Sequence, residues 1–584
     1  MDNGKWIIVI NNHMKKIVSL AVLSLAMLPV AAQDTYENAR LLGSDLNGTA
    51  RYVGMGGALD ALGADVSTIN TNPAGIGLFR HSHVSGSFGV VSQQGVSRFD
   101  HVNKTNLSFD QIGFVHSFNE GDGRSYVNFA INFHKSRNFD QILSAANSLN
   151  RASLSKLAYA KSVVGNDNAG GYYLEENKNM VVNGWRNKTS DELAWQYTQW
   201  DNVYTNGLMW DNVNVPAADV PSSPYYDPKG IYFNNVFFEG DDYSFDRGHS
   251  GYIYDADINI SGNINDRLFL GATLGFRLVD YKGYSEYQEN LLDYKDHKIG
   301  STVLADERRI TGTGVNVKVG AIVRPFEESP FRVGLSIETP TWYDLKSKNA
   351  TLLVNGIDYQ KYNPGYKNWG QNEYSSGYTF EYRYYTPWKF GLSLGHTIGN
   401  FLALGAGLEY TDYSTADNRI KDGYDEYGNP ESYSDVVMNR HTENTLKGAT
   451  TLKVGAELKP DPSLAIRLGY NRVSPMYRMG AYRDTRLNSE CNFYSSTADY
   501  TNWEGTDRIT CGLGYRYKNW NFDLAYQYNN TKGTFYPFQP NVEFDDITNN
   551  LQHETNVCKP SDVKFERHQI LFTVGYTFDT FFDW

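Results

Sequence analysis

Two short runs near the N-terminus combine glycine, proline and asparagine at spacings that shape a backbone rather than carry out a reaction. Met55-Gly56-Gly57-Ala58 follows Thr49-Ala50-Arg51-Tyr52-Val53-Gly54, and Asn72-Pro73-Ala74-Gly75 follows Ala64-Asp65-Val66-Ser67. Gly54, Gly56 and Gly57 allow close packing or a positive φ. Asn72-Pro73 sets a turn whose asparagine side chain can bond backbone. The glycines do not follow a strand in a βαβ unit, which argues against a nucleotide loop. Ser153-Leu154-Ser155-Lys156 matches a short acyl-enzyme pattern, but its companion motifs are missing. His81 and His83 alternate and could hold a metal, although such a pair reads more simply as polar groups at a rim. Asp422, Asp425 and Glu426 form an acidic stretch, read as a solvated loop. Cys491, Cys511 and Cys558 make neither a disulfide framework nor a metal-ligand spacing, though one pair could form after export. No nucleophile–histidine–acid set stands out. The chain is therefore read as a non-enzyme, with no catalytic residue, metal or cofactor assigned.

The elements that would position these runs follow from composition and periodicity. The 584 residues include 43 Tyr, 30 Phe, 11 Trp and 53 Gly, yet only 41% are hydrophobic. That balance suits strands with lipid on one side and water on the other, aromatic girdles and large polar loops. A net charge of −13 argues against nucleic acid as a partner. Met14-Lys15-Lys16 and the apolar core Ile17 to Val30, ending at Ala31-Ala32, read as a secretory signal. Residues 1–32 are assigned to an N-terminal extension plus signal peptide, with the mature chain starting at Gln33. No later run has eighteen consecutive apolar residues, so a membrane form must be a closed barrel.

Period-two alternation dominates the rest. Val127, Phe129, Ile131 and Phe133 alternate with polar or small residues, as do Leu268 to Leu278 and Val315 to Val323. Short connections fall near Asn119–Arg124, Asn263–Arg267, Phe326–Pro330, Ile398–Asn400, Lys459–Ser463 and Lys518–Trp520. Long ones fall near 93–105, 136–249, 284–305, 347–373, 415–444, 476–505 and 530–565. This alternation predicts an all-β fold: a barrel of about fourteen antiparallel transmembrane strands over residues 81–584, with tight periplasmic turns and long outer loops. Parity requires Tyr378 to His396 to be one strand, bent at Pro387. Ile570, Phe572, Val574, Tyr576 and Phe578, continued by Phe582 and Trp584, mark a closing strand of the kind read by outer-membrane assembly machinery. Within 136–249, Ile142, Ala146 and Leu149 repeat at helical spacing, and Leu193, Tyr197, Trp200 and Tyr204 do so more clearly. That insertion is read as a partly helical extracellular cap, and the second set as candidate ligand contacts. Residues 33–80 do not alternate. They are read as a hatch within the lumen, with Gly54, Gly56, Gly57, Asn72, Pro73 and Ala74 as its shaping residues.

The run from Thr49 to Gly75 resembles the FadL/TodX family of outer-membrane transporters for long-chain fatty acids and other hydrophobic compounds. The likeness is most specific at Met55-Gly56-Gly57-Ala58 followed by Asn72-Pro73-Ala74-Gly75. It extends to Thr386-Pro387 through Leu394, Leu404 to Tyr413, Val454-Gly455-Ala456-Glu457, Arg467-Leu468-Gly469-Tyr470 and Ser474-Pro475. The resemblance implies a fourteen-stranded barrel in the bacterial outer membrane, a luminal hatch, and sideways release of a hydrophobic small-molecule ligand into the membrane. The third strand, Tyr126 to His134, carries no Gly or Pro that would announce a kink. The partners expected are that ligand, outer-membrane lipid and lipopolysaccharide, and the assembly machinery, around a monomer. Two other readings stay open: a haem-binding receptor using His297, His441 or His553, and an outer-membrane hydrolase.

Overall fold

A computed structural model describes residues 34–119, 124–162, 172–174, 180–182, 203, 238–292, 296–358, 373–424, 428, 430–487, 489–493, 495–540, 542–546 and 552–578. The signal segment, Phe582 and Trp584 lie outside the described residues. So do all four candidate ligand contacts, Leu193, Tyr197, Trp200 and Tyr204.

Fourteen antiparallel strands form one closed ring. They are β1 (Ser82–Gln93), β2 (Thr105–Asn119), β3 (Tyr126–Asn138 and Gln141–Ser148), β4 (Glu239–Ile264), β5 (Leu268–Leu292), β6 (Lys298–Val323) and β7 (Arg332–Glu338 and Trp342–Asn355). The ring continues with β8 (Glu373–Tyr385 and Lys389–Ile398), β9 (Leu402–Asp412 and Asp417–Tyr424), β10 (Pro430–Ser434 and Gly448–Asp461), β11 (Leu464–Val473), β12 (Tyr500–Tyr517), β13 (Trp520–Tyr536) and β14 (Ser561–Phe578). Each strand pairs with its neighbours in sequence. The last closes on the first, from Ser82↔Phe578 to Gln93↔Arg567, so the wall has no free edge. The Tyr378–His396 run is one strand path interrupted at Pro387, as parity requires.

Alternation sorts side chains to two faces. Outward positions such as Leu274, Phe276, Val317, Val319, Leu392 and Leu524 are large, apolar and exposed all round the ring. Such a continuous band is stable only against lipid. Tyr515, Tyr517 and Trp520 edge it near the short turns, and Trp342 and Trp388 edge it on the other side. Inward positions carry Gly, Asn, Lys, Arg and carboxylates, among them the buried Asn259, Thr273, Lys318, Lys453 and Arg467.

Two expectations are corrected. Ile142 and Ala146 are not helical. They lie on the outer half of β3, paired with β4 from Gln141↔His249 to Ser148↔Asp242. The step from Ile142 to Ala146 is even, so it suits a strand as well as a helix, and pairing with β4 decides between them. The described helix of this region is Leu154–Ser162. Several expected loops are shorter, because the wall extends beyond the membrane. β5 runs to Leu292 and β6 starts at Lys298, for example.

Candidate functional site

Asp34 to Phe79 lies inside the ring as a chain of short helical turns. Four of these turns start where a side chain satisfies a free backbone N–H group, whereas Ala39–Leu41 has no such cap. Asp34 accepts from Glu37, Thr49 from Tyr52, Asp65 from Ser67 and Asn72 from Ala74. Leu41, Leu42, Val53, Leu59 and Leu62 are all buried. Gly56 and Gly57 adopt φ of +63° and +79°, a region strained for residues with a Cβ. A Cβ on Gly56 would also sit 2.8 Å from the Tyr470 amide nitrogen.

From Thr49 onward this segment touches the wall backbone to backbone. A Cβ on Gly405 would meet the Ala58 carbonyl oxygen at 1.8 Å, one on Gly455 the Met55 carbonyl oxygen at 2.2 Å, and one on Gly469 the Gly56 nitrogen at 2.2 Å. Pro73 lies on Gly271 in the same way, and the Asn72 side chain fills the space over Gly320 and Gly334. Asn72 Nδ2 also donates to the Ala321 carbonyl at 3.5 Å, while its Oδ1 accepts from the Ala74 N–H at 3.2 Å. The structure thus brings Gly54, Gly56, Asn72, Pro73 and Ala74 onto the inner wall at different strands, while Gly57 lies against Leu46 and Tyr52 of the segment itself.

Charge holds the segment as well, a feature the sequence reading missed. Arg51 pairs with Glu457 at 3.1 Å and Asp60 with Lys453 at 3.0 Å. Asp34 pairs with Arg483 at 3.2 Å, and Glu37 with Arg308. Asp45 faces Arg567, Arg137 and Arg508 at 3.3, 3.7 and 4.0 Å. Burial alone would raise the Asp45 carboxyl, but these three guanidinium groups outweigh it and hold Asp45 down at about 2. The signal was present in the alternation itself: wall residues facing inward are repeatedly Lys, Arg, Asp or Glu.

Above this segment is a cavity of about 270 Å³. Leu42, Phe139, Tyr477, Trp503 and Phe565 give it apolar and aromatic walls, and Arg40, Arg137, Arg508 and Arg567 give it cations. Arg40 donates to the Tyr281 hydroxyl at 2.9 Å and is in no ion pair among the described residues. A second cavity, about 250 Å³, lies on the opposite side, against Thr49, Arg51, Asp65 and the short turn at Pro462-Ser463. The outer mouth is covered by an apolar cluster that includes Leu154, Leu157, Val203, Phe238, Phe535 and Phe538.

The wall is incomplete at one place. β2 pairs with β1 from Thr105 to Val115, but with β3 only from Gln111↔His134 to Asn119↔Tyr126. Beyond His134, β3 leaves β2, breaks at Phe139-Asp140, and continues along β4. The break therefore lies beyond Tyr126–His134, and needs neither Gly nor Pro. Side chains bridge the parted strands. Lys135 Nζ donates to Ser108 Oγ at 2.8 Å, and Asn106 Nδ2 to Asp140 Oδ2 at 3.0 Å. Asn47, from the inner segment, donates to Asp110 Oδ1 at 2.9 Å and to the Lys135 carbonyl at 3.0 Å. Gln93 closes the far end with paired bonds to the Ile142 backbone. Ser136 to Gln141 line the upper cavity, so it reaches this parting.

His134, Asp255 and Asp257 lie close enough to share an ion. Arg277 already pairs with Asp255 at 3.1 Å and Lys318 with Asp257 at 3.3 Å, which cancels the charge that would attract a dication. His81 is exposed beside the first strand, and His83 contacts Thr577 Oγ1 at 3.2 Å. Asp422 is exposed, whereas Asp425 and Glu426 lie outside the described residues. All three cysteines are free thiols. His297 and His553 fall on the β5–β6 and β13–β14 connections, and His441 lies in the helix Val436–Thr445 between the two parts of β10.

No family model and no curated protein matches the chain. Solved structures similar to it include the toluene transporter TbuX of Ralstonia pickettii, with 11% identity, covering 91% of this chain and 99% of that one, at a TM-score of 0.43. A Pseudomonas aeruginosa FadL homologue has 12% identity, coverage of 92% and 99%, and a TM-score of 0.41. The toluene transporter TodX of P. putida has 12% identity, coverage of 91% and 99%, and a TM-score of 0.40.

Proposed function

We propose that this protein is a passive uptake channel of the bacterial outer membrane for hydrophobic, fatty-acid-like small molecules. The observation that carries the reading is the parting of β2 from β3 beside a closed lumen. The inner segment stands between the two cavities, whereas the upper cavity reaches the parting, where only side chains join the strands. A molecule with an apolar body gains roughly 0.8 kcal/mol per CH₂ on leaving water for lipid, so sideways exit is downhill. The cavity's aromatic walls suit the body of such a ligand, and Arg40 suits an anionic end.

In this reading residues 33–80 act as a hatch and the outer insertion captures ligand, with Leu193, Tyr197, Trp200 and Tyr204 as its contacts. The chain closes its own ring, so one copy suffices. Changing Tyr197 and Trp200 together to Ser should weaken capture while leaving the barrel folded. The sharper test is a staple across the parting, Asn106→Cys with Asp140→Cys in a background with the native cysteines changed to Ser. Oxidised protein in proteoliposomes should lose uptake of a fluorescent fatty acid and regain it on reduction. Undiminished uptake with the staple formed overturns lateral release.

A further inference from the structure

On the lipid-facing side of β5, β6 and β7, three cations stand in register. Lys282 lies directly opposite Arg309, and Arg309 directly opposite Lys348. All three are exposed, on the outward set of alternating positions that begins with Leu270, Leu274, Phe276 and Leu278 on β5. The row sits four residues beyond Leu278, roughly 13 Å along the strand toward the long loops. Ser250 flanks it on β4 and Thr379 on β8. One row nearer the apolar band, Lys346 stands opposite Thr311.

Like charges directly opposite on adjacent strands repel. The acids nearby offset this only in part. Asp280 reaches Arg309 at 3.4 Å, and Glu307 is the next outward residue on β6. Glu381 is taken by Lys346 and Lys421, both at 3.2 Å. Among the described residues, neither Lys282 nor Lys348 is in an ion pair. The row therefore presents uncompensated positive charge just beyond the apolar band, on the side of the long loops. In a bilayer that is the headgroup layer of the outer leaflet. An anion seated there would convert the cross-strand repulsion into attraction, and Arg309 can hold two oxygens of a phosphate at once.

We propose that Lys282, Arg309 and Lys348 form a docking site for the phosphorylated headgroup of an outer-leaflet glycolipid. The inference rests on the reading that the barrel spans the outer membrane with its long loops outside. It assigns no role to the acidic stretch near Asp422, because the protein supplies the cations itself.

The test is native mass spectrometry of the detergent-purified barrel with diphosphorylated lipid A, in EDTA to remove bridging metals. Wild type should retain this lipid. The K282Q/R309Q/K348Q variant should retain it about tenfold less, since each cation near an anionic surface contributes measurably. Lipid A stripped of both phosphates should bind both proteins weakly and equally, and K518Q, at a periplasmic turn, should behave as wild type. The triple variant should melt no lower than wild type in plain detergent, because removing the row removes repulsion. Equal retention by wild type and triple variant, or equal retention of both lipids, overturns the docking site. Should the triple variant fold poorly, R309Q alone decides. Insertion of wild type into vesicles, scored separately, tells failure of this site from failure of the membrane reading.

Discussion

The two halves of the inner segment are held in different ways. Thr49 to Leu78 is locked by shape: its backbone lies on wall glycines at Gly271, Gly405, Gly455 and Gly469, where any side chain would collide. Asp34 to Asn47 is held largely by ion pairs and hydrogen bonds, at Asp34, Glu37, Asp45 and Asn47, with Tyr36, Leu41 and Leu42 in an apolar cluster. Close-packed backbone has no second arrangement of equal energy. Buried ion pairs contribute little net stability, because desolvation offsets their attraction. A cavity that fills with ligand or water can therefore release the first half while the second stays seated. The first half lines the upper cavity and reaches the parted strands through Asn47, which puts the part held by charge beside the exit proposed above.

The largest effect should come from removing both anchors. Deleting residues 33–72 should leave a barrel that still inserts, since the ring closes through β1 and β14, but conducts as a leaky pore. Single-channel recording checks this, and a deletion mutant that conducts no better than wild type would place the segment's function elsewhere.

Asp45→Asn targets the displaceable half alone. It leaves three guanidinium groups around one neutral amide. The loss should be about 3 kcal/mol, the low end for breaking a buried pair, because Asp45 borders the cavity. Hydrogen exchange should rise across residues 34–47 and stay unchanged across 49–78. Acid should act on the same anchor. The Asp45 carboxyl is depressed from about 3.9 in an unfolded chain to about 2, so its contribution is complete above about pH 5 and is lost as pH falls through 2. The difference in exchange between wild type and D45N should hold from pH 8 to about 5 and vanish only below about pH 2, near pH 1. Uniform exchange across both halves would erase the distinction between them.

Gly405→Val attacks the locked half. Its Cβ would fall on the Ala58 carbonyl oxygen, and overpacking of this kind costs about 2 kcal/mol. Here exchange should rise in 49–78, with a lowered melting temperature. A variant as protected and as stable as wild type would mean that the glycine contacts do not fix the segment.

How much of this was legible in the sequence depends on the physics involved. Strand alternation is local, so residues such as Leu274 and Val317 announce the wall, and the turn lengths announce the count. Gly56-Gly57 and Asn72-Pro73 are legible because few residue types tolerate their geometry. The partners of Asp45 were not legible. Arg137, Arg508 and Arg567 lie on three strands, and only ring closure brings them to one point. The parting at His134 escaped for a related reason. No residue there forbids pairing, and the break follows from β3 turning to stay with β4. Ile142 and Ala146 read as helical, but their even spacing fits a strand equally well, and only the non-local pairing with β4 makes it one.

Asn72→Ala should give the smallest effect and the most discriminating one. Asn72 makes two kinds of contact. Its Oδ1 caps the Pro73–Leu78 turn through the Ala74 N–H, which is local to the segment. Its amide also fills the hollow over Gly320 and Gly334 and reaches the Ala321 carbonyl, which ties the segment to β6 and β7. Alanine removes both at once, with a loss of about 1 kcal/mol for the cap. The wall ladders do not use this side chain, so the melting temperature of the barrel should barely move. Fatty-acid uptake into proteoliposomes should fall by a larger factor, because the locked half would no longer hold the displaceable half in register with the cavity. Asn72→Asp keeps the cap and loses the donor to Ala321, so it separates the two contacts. Full uptake in N72D with reduced uptake in N72A assigns the effect to the turn. Equal loss in both assigns it to the wall contact. Wild-type uptake in both would show that the locked half needs only its glycine contacts.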